Sequence, residues 1–127
     1  MNRARFVAVA SVVSAVCLFP SLARAQATRT WVSGVGNDAN PCSRTSPCIT
    51  WAGAFSKTTA AGEIDALDPG GFGAVTLNKS ITLDGISGLS GILVSGTNAI
   101  VVNASASDVV IIRNLESTAS EAASAAL

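Results

Sequence analysis

The chain has 127 residues, eight basic and eight acidic, and no histidine. That length fits one domain, or one domain plus a processed segment. Without histidine, imidazole bases, Ser–His and Cys–His pairs and every His-ligated metal site are excluded, and 13% charged residues argue against long solvated tails and coiled coils.

Arg3 and Arg5 precede an apolar run from Phe6 to Phe19, closed by Pro20 and followed by the small residues Ala23 and Ala25 on either side of Arg24. This three-part pattern predicts a secretory signal peptide over residues 1–25, with Ala27 as the alternative cleavage point. The run is shorter than the roughly 20 apolar residues a membrane-spanning helix needs. Cys17 follows the bulky Val16, which argues against a lipid anchor there. The expected destination is secreted or periplasmic, with no membrane attachment after cleavage. Removing residues 1–25 leaves five basic against eight acidic residues, a net charge of −3. No basic patch remains, so nucleic acid is not an expected partner. Cys42 and Cys48 then form an even pair in an exported chain, which predicts a disulfide. A zinc site would need further ligands nearby.

Thr28–Ser33 favours a strand, and residues 34–41 are dense in turn formers. Thr50 is a helix N-cap candidate, and Trp51 and Phe55 fall on one face of a helix predicted over about 51–60, with Gly62 as its stop. From Gly62 the apolar period changes to two. Strands are expected at 63–67, 74–77, 80–85, 91–94, 99–103 and 108–115, bounded mostly by Gly, Asn, Asp or Ser. No helix lies between them, so βαβ units are excluded. No Asn-Gly occurs, and the one Asp-Gly, Asp84-Gly85, does not lead into a return strand, so the hairpin signal is weak. Short Val/Ile strands with Ser/Gly/Asn connectors suit stacked parallel strands instead. Ser80–Gly85 and Asp108–Leu115 read as equivalent stations whose starts lie 28 residues apart.

The stretch Thr30-Trp31-Val32-Ser33-Gly34, then Gly36-Asn37-Asp38-Ala39-Asn40-Pro41-Cys42, then Pro47-Cys48-Ile49-Thr50-Trp51 resembles the N-terminal start of right-handed parallel β-helix proteins, a family with many secreted pectate-lyase-like and other polysaccharide-acting members. The resemblance covers residues 29–115. It implies an all-β fold, a right-handed parallel β-helix opened by an N-terminal capping helix, and a polysaccharide as partner. Residues 26–62 would form the cap and 63–116 the coils. Residues 117–127, rich in Ala and Ser, carry Thr118 as their one β-branched side chain and read as a tail, with a short helix over 119–127 as the rival. Two coils fall short of the three or more repeats a solenoid usually needs. The expectation is therefore a truncated, non-catalytic member that self-associates through an open end, with a self-capped mini-domain as the rival build and a carbohydrate-active protein, either a polysaccharide lyase-like enzyme or a glycan-binding surface module, as the alternative function.

Candidate chemistry is sparse. Asp65, Asp68 and Asp84 form the best acidic cluster. In pectate-lyase-like enzymes such residues hold calcium while a lysine or arginine takes the proton. Here the resemblance implies calcium at the cluster and Lys79 or Arg113 as base, against the plainer reading of Asp68 and Asp84 as turn residues with no cofactor. Gly34-x-Gly36-x-x-Ala39 fits a dinucleotide fingerprint nominally, but Asn40-Pro41-Cys42 interrupts the helix that motif requires. The same glycines echo a calcium-binding repeat in a single copy. Both read better as a turn. No Gly-x-Ser-x-Gly elbow is present. Trp31, Trp51 and Phe72 are candidates for stacking on sugar rings, with burial under the cap the better reading for Trp51.

Overall fold

The computed structural model describes residues 25–85 and 90–120. The predicted signal peptide, Cys17 within it and residues 121–127 lie outside them.

The chain is mostly β. Strand β1 (Ala27–Val32) is followed by helix α1 (Trp51–Lys57), then β2 (Thr58–Ala66), β3 (Gly70–Gly71), β4 (Val75–Leu77), β5 (Ile81–Asp84), β6 (Ser90–Ser95), β7 (Ile100–Val102), β8 (Val110–Arg113) and β9 (Leu115–Ser120). They form three sheets with orders β1-β2-β5-β8, β3-β6-β9 and β4-β7. Every strand pairing in them is parallel. Strands β2, β3 and β4 visit the three sheets in turn, β5, β6 and β7 repeat the visit one layer on, and β8 and β9 begin a third.

In-register pairing aligns like side chains into rows. In the first sheet Thr30, Ile64, Leu83 and Ile112 lie opposite one another on the core side. The other face carries Trp31, Asp65, Asp84 and Arg113 in one row, and Arg29, Glu63, Thr82 and Ile111 in the next. Ile64, Leu77, Ile81, Leu83 and Ile92 are buried in a core shared by all three sheets. The two stations read from sequence do pair, with Asp84 opposite Arg113, a separation of 29 residues.

The helix is shorter than expected. It ends at Lys57, and the chain passes straight into β2, where Thr58 donates its N–H to Phe55 O. Gly62, expected to stop the helix, lies inside β2. Residues 58–60, the end of the expected helix, are captured by the parallel edge of β1, with a register shift between Ala27 and Arg29 that absorbs the extra residues. At the helix start Thr50 Oγ1 accepts from Gly53 N at 2.9 Å, the expected N-cap. Trp51 is fully buried and meets Phe72 edge-on at 5.4 Å between centroids.

The predicted strand 108–115 is two strands. Asn114, at φ 56°, turns the chain from the first sheet into the second. Asparagine tolerates this left-handed conformation better than other residues with a Cβ. In the layer before, Gly85 follows β5 at the matching position, and a Cβ there would stand 2.2 Å from Asn114 O. The chain also stays extended beyond Glu116: Ser117 to Ser120 pair with Ile92 to Ser95. Residues 117–120, expected to belong to the tail, are therefore strand, and 121–127 lie outside the described residues.

Candidate functional site

The charged face of the first sheet gathers the molecule's most concentrated chemistry. Asp65 and Asp84 are adjacent in register on β2 and β5, as expected. Asp68 is not with them: it lies past the end of β2, where its carboxylate accepts from Ser33 Oγ and, at 2.8 Å, from Gly34 N. Asp68 ties down a turn. The third carboxylate of the cluster is Glu63, whose ligand atom lies within 4.8 Å of those of Asp65 and Asp84.

Two arginines from opposite ends of the sheet close over these carboxylates. Arg29 Nε donates to Asp65 Oδ2, and Arg29 Nη2 lies 3.7 Å from Glu63 Oε1. Arg113 Nε donates to Asp84 Oδ2 at 2.6 Å, and its Nη2 reaches Glu63 Oε1 at 3.0 Å. Asn114 Nδ2 donates to Asp84 Oδ1 at 2.8 Å. Arg29 also lies over the Trp31 ring, 5.7 Å from its centroid. The result is a ladder running from β1 to β8.

Burial separates the carboxylates. Asp65 is fully buried, and burial, with the neighbouring Glu63 adding to it, pushes its carboxyl above the ordinary range despite Arg29. Its Oδ1 has no hydrogen-bond partner among the described residues. Asp84 is also buried, which pulls it upward, but the hydrogen bonds from Asn114 and Arg113 and the charges of Arg113 and Arg29 outweigh this and hold it below the usual carboxylate range.

The donor set does not fit calcium well. That ion takes about six to eight oxygens, and here Arg29, Arg113 and Asn114 already occupy Asp65 Oδ2, Glu63 Oε1 and both oxygens of Asp84. Two guanidinium groups beside three carboxylates leave one formal negative charge. The arrangement is an ion-pair network in which most of the negative charge is compensated.

The remaining candidates are distributed elsewhere. Lys79 is remote from the cluster: it donates to Phe55 O at 3.0 Å and Thr58 O at 2.5 Å and lies over the Phe55 ring, so it caps the C-terminus of α1. Arg113 is in the cluster, but as an ion-pair partner. Gly34 and Gly36 sit in a turn closed by Gly36 N to Ser33 O, and the next helix begins only at Trp51, so no phosphate cradle forms. Trp51 and Phe72 are buried against each other, while Trp31 is half-buried on the charged face.

Cys42 and Cys48 are joined as a disulfide, both fully buried, with Cα atoms 4.7 Å apart. Cys42 O accepts from Trp31 N at 2.9 Å, and Cys48 N donates to Trp31 O at 3.0 Å, so the bridged loop lies along the outer edge of β1. Asp38 binds the next turn to the helix by accepting from Ile49 N, Thr50 N and Thr50 Oγ1.

A shallow cavity of about 360 Å³ separates α1 from the third sheet, walled by Phe55, Val75, Thr76 and Asn98 among others. No charged side chain lines it. Sequence reasoning missed Glu63 and Arg29 as members of the cluster. Their residue types are plain in the sequence, but only the register of β1 against β2 places Arg29 opposite Glu63. Among the described residues, no helix is long and apolar enough to cross a membrane. No family model, curated protein or solved structure matches the chain.

Proposed function

We propose that this chain is the capped N-terminal segment of a secreted, right-handed parallel β-helix of the pectate-lyase-like kind, serving as a structural module without catalysis of its own. The observation that carries the reading is the state of the acidic cluster. Arg29, Arg113 and Asn114 bind Asp65 Oδ2, Glu63 Oε1 and both oxygens of Asp84, which favours a role in holding successive strands in register. Three all-parallel sheets visited in rotation support the β-helix, and parallel crossovers of this kind are nearly always right-handed. The buried disulfide is compatible with export.

The test is incubation of the protein with acidic polysaccharides and calcium, following release of unsaturated sugars by ultraviolet absorbance. No release is expected. A calcium-dependent signal that disappears in Arg113→Ala would replace this reading with a lyase.

Trp31 supports a second reading. Half-buried on the outer row with Asp65, Asp84 and Arg113, it gives that face an aromatic platform beside charged groups, which suits glycan binding without cleavage. Binding on a glycan array that is lost in Trp31→Ala would establish it.

A further inference from the structure

Three carboxyl groups meet on the outer face of the first sheet, and one of their oxygens stands apart. Asn114 and Arg113 donate to the two oxygens of Asp84, Arg113 donates also to Glu63 Oε1, and Arg29 donates to Asp65 Oδ2. Asp65 Oδ1 has no hydrogen-bond partner among the described residues, although the side chain is completely buried. An ionised oxygen buried without a donor carries its full desolvation cost. The same oxygen bearing a proton becomes a donor and needs only an acceptor beside it.

The charged groups around Asp65 come from four strands. Arg29 faces it from β1, Glu63 from its own strand and Asp84 from β5, and Arg113 of β8 reaches the cluster through Asp84 and Glu63. Trp31, its partner in register on β1, brings no charge. With all three carboxyls ionised, two guanidinium groups leave one negative charge over, and a single proton removes it. Asp84 is not the seat of that proton, because donors hold both its oxygens. Glu63 is part-exposed, so water can solvate its charge, whereas Asp65 is shut away from water. A proton on Asp65 Oδ1 leaves Oδ2 as the carbonyl that accepts from Arg29. Glu63, two residues back on the same face and within 4.8 Å by its ligand atom, supplies the acceptor.

We propose that Asp65 is a neutral carboxylic acid whose Oδ1 shares its proton with the Glu63 carboxylate, and that this proton is a pH-sensitive latch between β1 and the rest of the first sheet. Burial pushes the Asp65 carboxyl up, the hydrogen bond from Arg29 pulls it down and Glu63 pushes it up again, with a net upward direction that agrees with a retained proton. Arg29 is the one charged residue of β1, so the ladder grips that strand through Asp65 and Glu63 alone. When the proton leaves, two ionised carboxylates face each other and a buried charge lacks a donor. The latch is therefore closed at low pH and loosens as pH rises through the raised folded value. The inference rests on reading the cluster as a structural ladder that holds strands in register.

The experiment is a carbon-13 NMR titration of the side-chain carboxyls, on protein recovered from an exporting host, with and without calcium. Asp65 should hold its proton above the ordinary carboxyl range. Glu63→Gln replaces the acceptor by an amide that donates to Oδ1 instead, and should weaken proton binding at Asp65 by at least about tenfold. Asp65→Asn presents the same groups as the neutral acid, a carbonyl for Arg29 and an N–H for Glu63. It should fold and should not loosen at the pH where the wild-type latch does. The wild type should also keep the infrared C=O band of a protonated carboxyl at a pH where ordinary carboxyls are ionised, and Asp65→Asn should lack it. That band decides the matter if Glu63→Gln fails to fold. An Asp65 that ionises in or below the ordinary range, a missing band, or proton binding unchanged in Glu63→Gln would each overturn the proposal. If calcium moves the Asp65 and Glu63 signals, the cluster is a metal seat, and the structural-ladder reading falls with the proposal. If calcium leaves them unmoved and Asp65 titrates as an ordinary carboxyl, the shared proton alone falls.

Discussion

The two ends of the molecule solve the same problem in opposite ways. Any stack of parallel strands ends in an unpaired backbone edge and an uncovered layer of apolar side chains. At the N-terminal end, a loop without regular strand structure supplies the missing partners. The disulfide holds it in place, Asp38 joins it to α1, and Trp51 lies completely buried beneath. At the other end, among the described residues, the rows reach Ile112 and Val102, both more than 40% exposed. Covering a sheet end therefore takes a built device, and repeating the strand motif does not provide one.

The sharpest way to break this contrast is to cut the same row at two heights. Leu83→Ala, in a fully buried position, should cost about 2–5 kcal/mol. Ile112→Ala, one layer on, should cost about 1 kcal/mol, because much of its side chain already meets water. Urea unfolding of both variants under conditions where the protein is monomeric checks this. Equal costs would mean that the far end is covered after all.

A smaller effect concerns the closed end. Opening the Cys42–Cys48 bridge, by reduction or by serine substitution at both positions, should cost about 2 kcal/mol for so short a loop. Hydrogen exchange should then rise first along β1 and α1, leaving β6 protected. Uniform loss of protection would show that the cap and the layers unfold as one.

The smallest effect is in the ladder that links the two ends. Asp65 keeps its proton to higher pH in the folded chain than in the unfolded one, because of its burial and Glu63. Its contribution to stability is therefore greatest below the unfolded carboxyl value and declines as pH rises through the raised folded value. Asp84 and Asp38 act in the opposite sense: their contribution is present above the unfolded value and lost as pH falls through their depressed folded values. Asp65→Asn removes only the first behaviour, so the cost of that substitution should shrink as pH rises through weakly acid conditions. A cost that grows with pH would mean that Arg29 holds Asp65 ionised.

Features that depend on a few neighbouring residues are legible in the amino-acid sequence. Thr50 as N-cap, Trp51 beneath the cap, the pairing of Cys42 with Cys48 and most strand positions follow from local chemistry and from period-two patterning. The acidic cluster is half legible. Asp65 and Asp84 stand out, but Asp68 reads as a member because it is near in sequence, and Glu63 does not draw notice. Membership depends on which residues stand opposite one another in register, and a slip of one position turns every side chain to the other face.

The amino-acid sequence by itself determined an all-β chain with a short helix and one disulfide, because turn formers, capping residues and alternating apolar positions act over a few residues. Only the tertiary structure decided the rest. It extended a strand across Leu115–Ser120, where local propensity was poor, because β6 offered a parallel edge. It began β2 at Thr58 because β1 offered another. It also joined Arg29, Glu63, Asp65, Asp84 and Arg113 into one ladder. Backbone pairing between distant segments is worth more than the local preference of either, and register is a property of the pair.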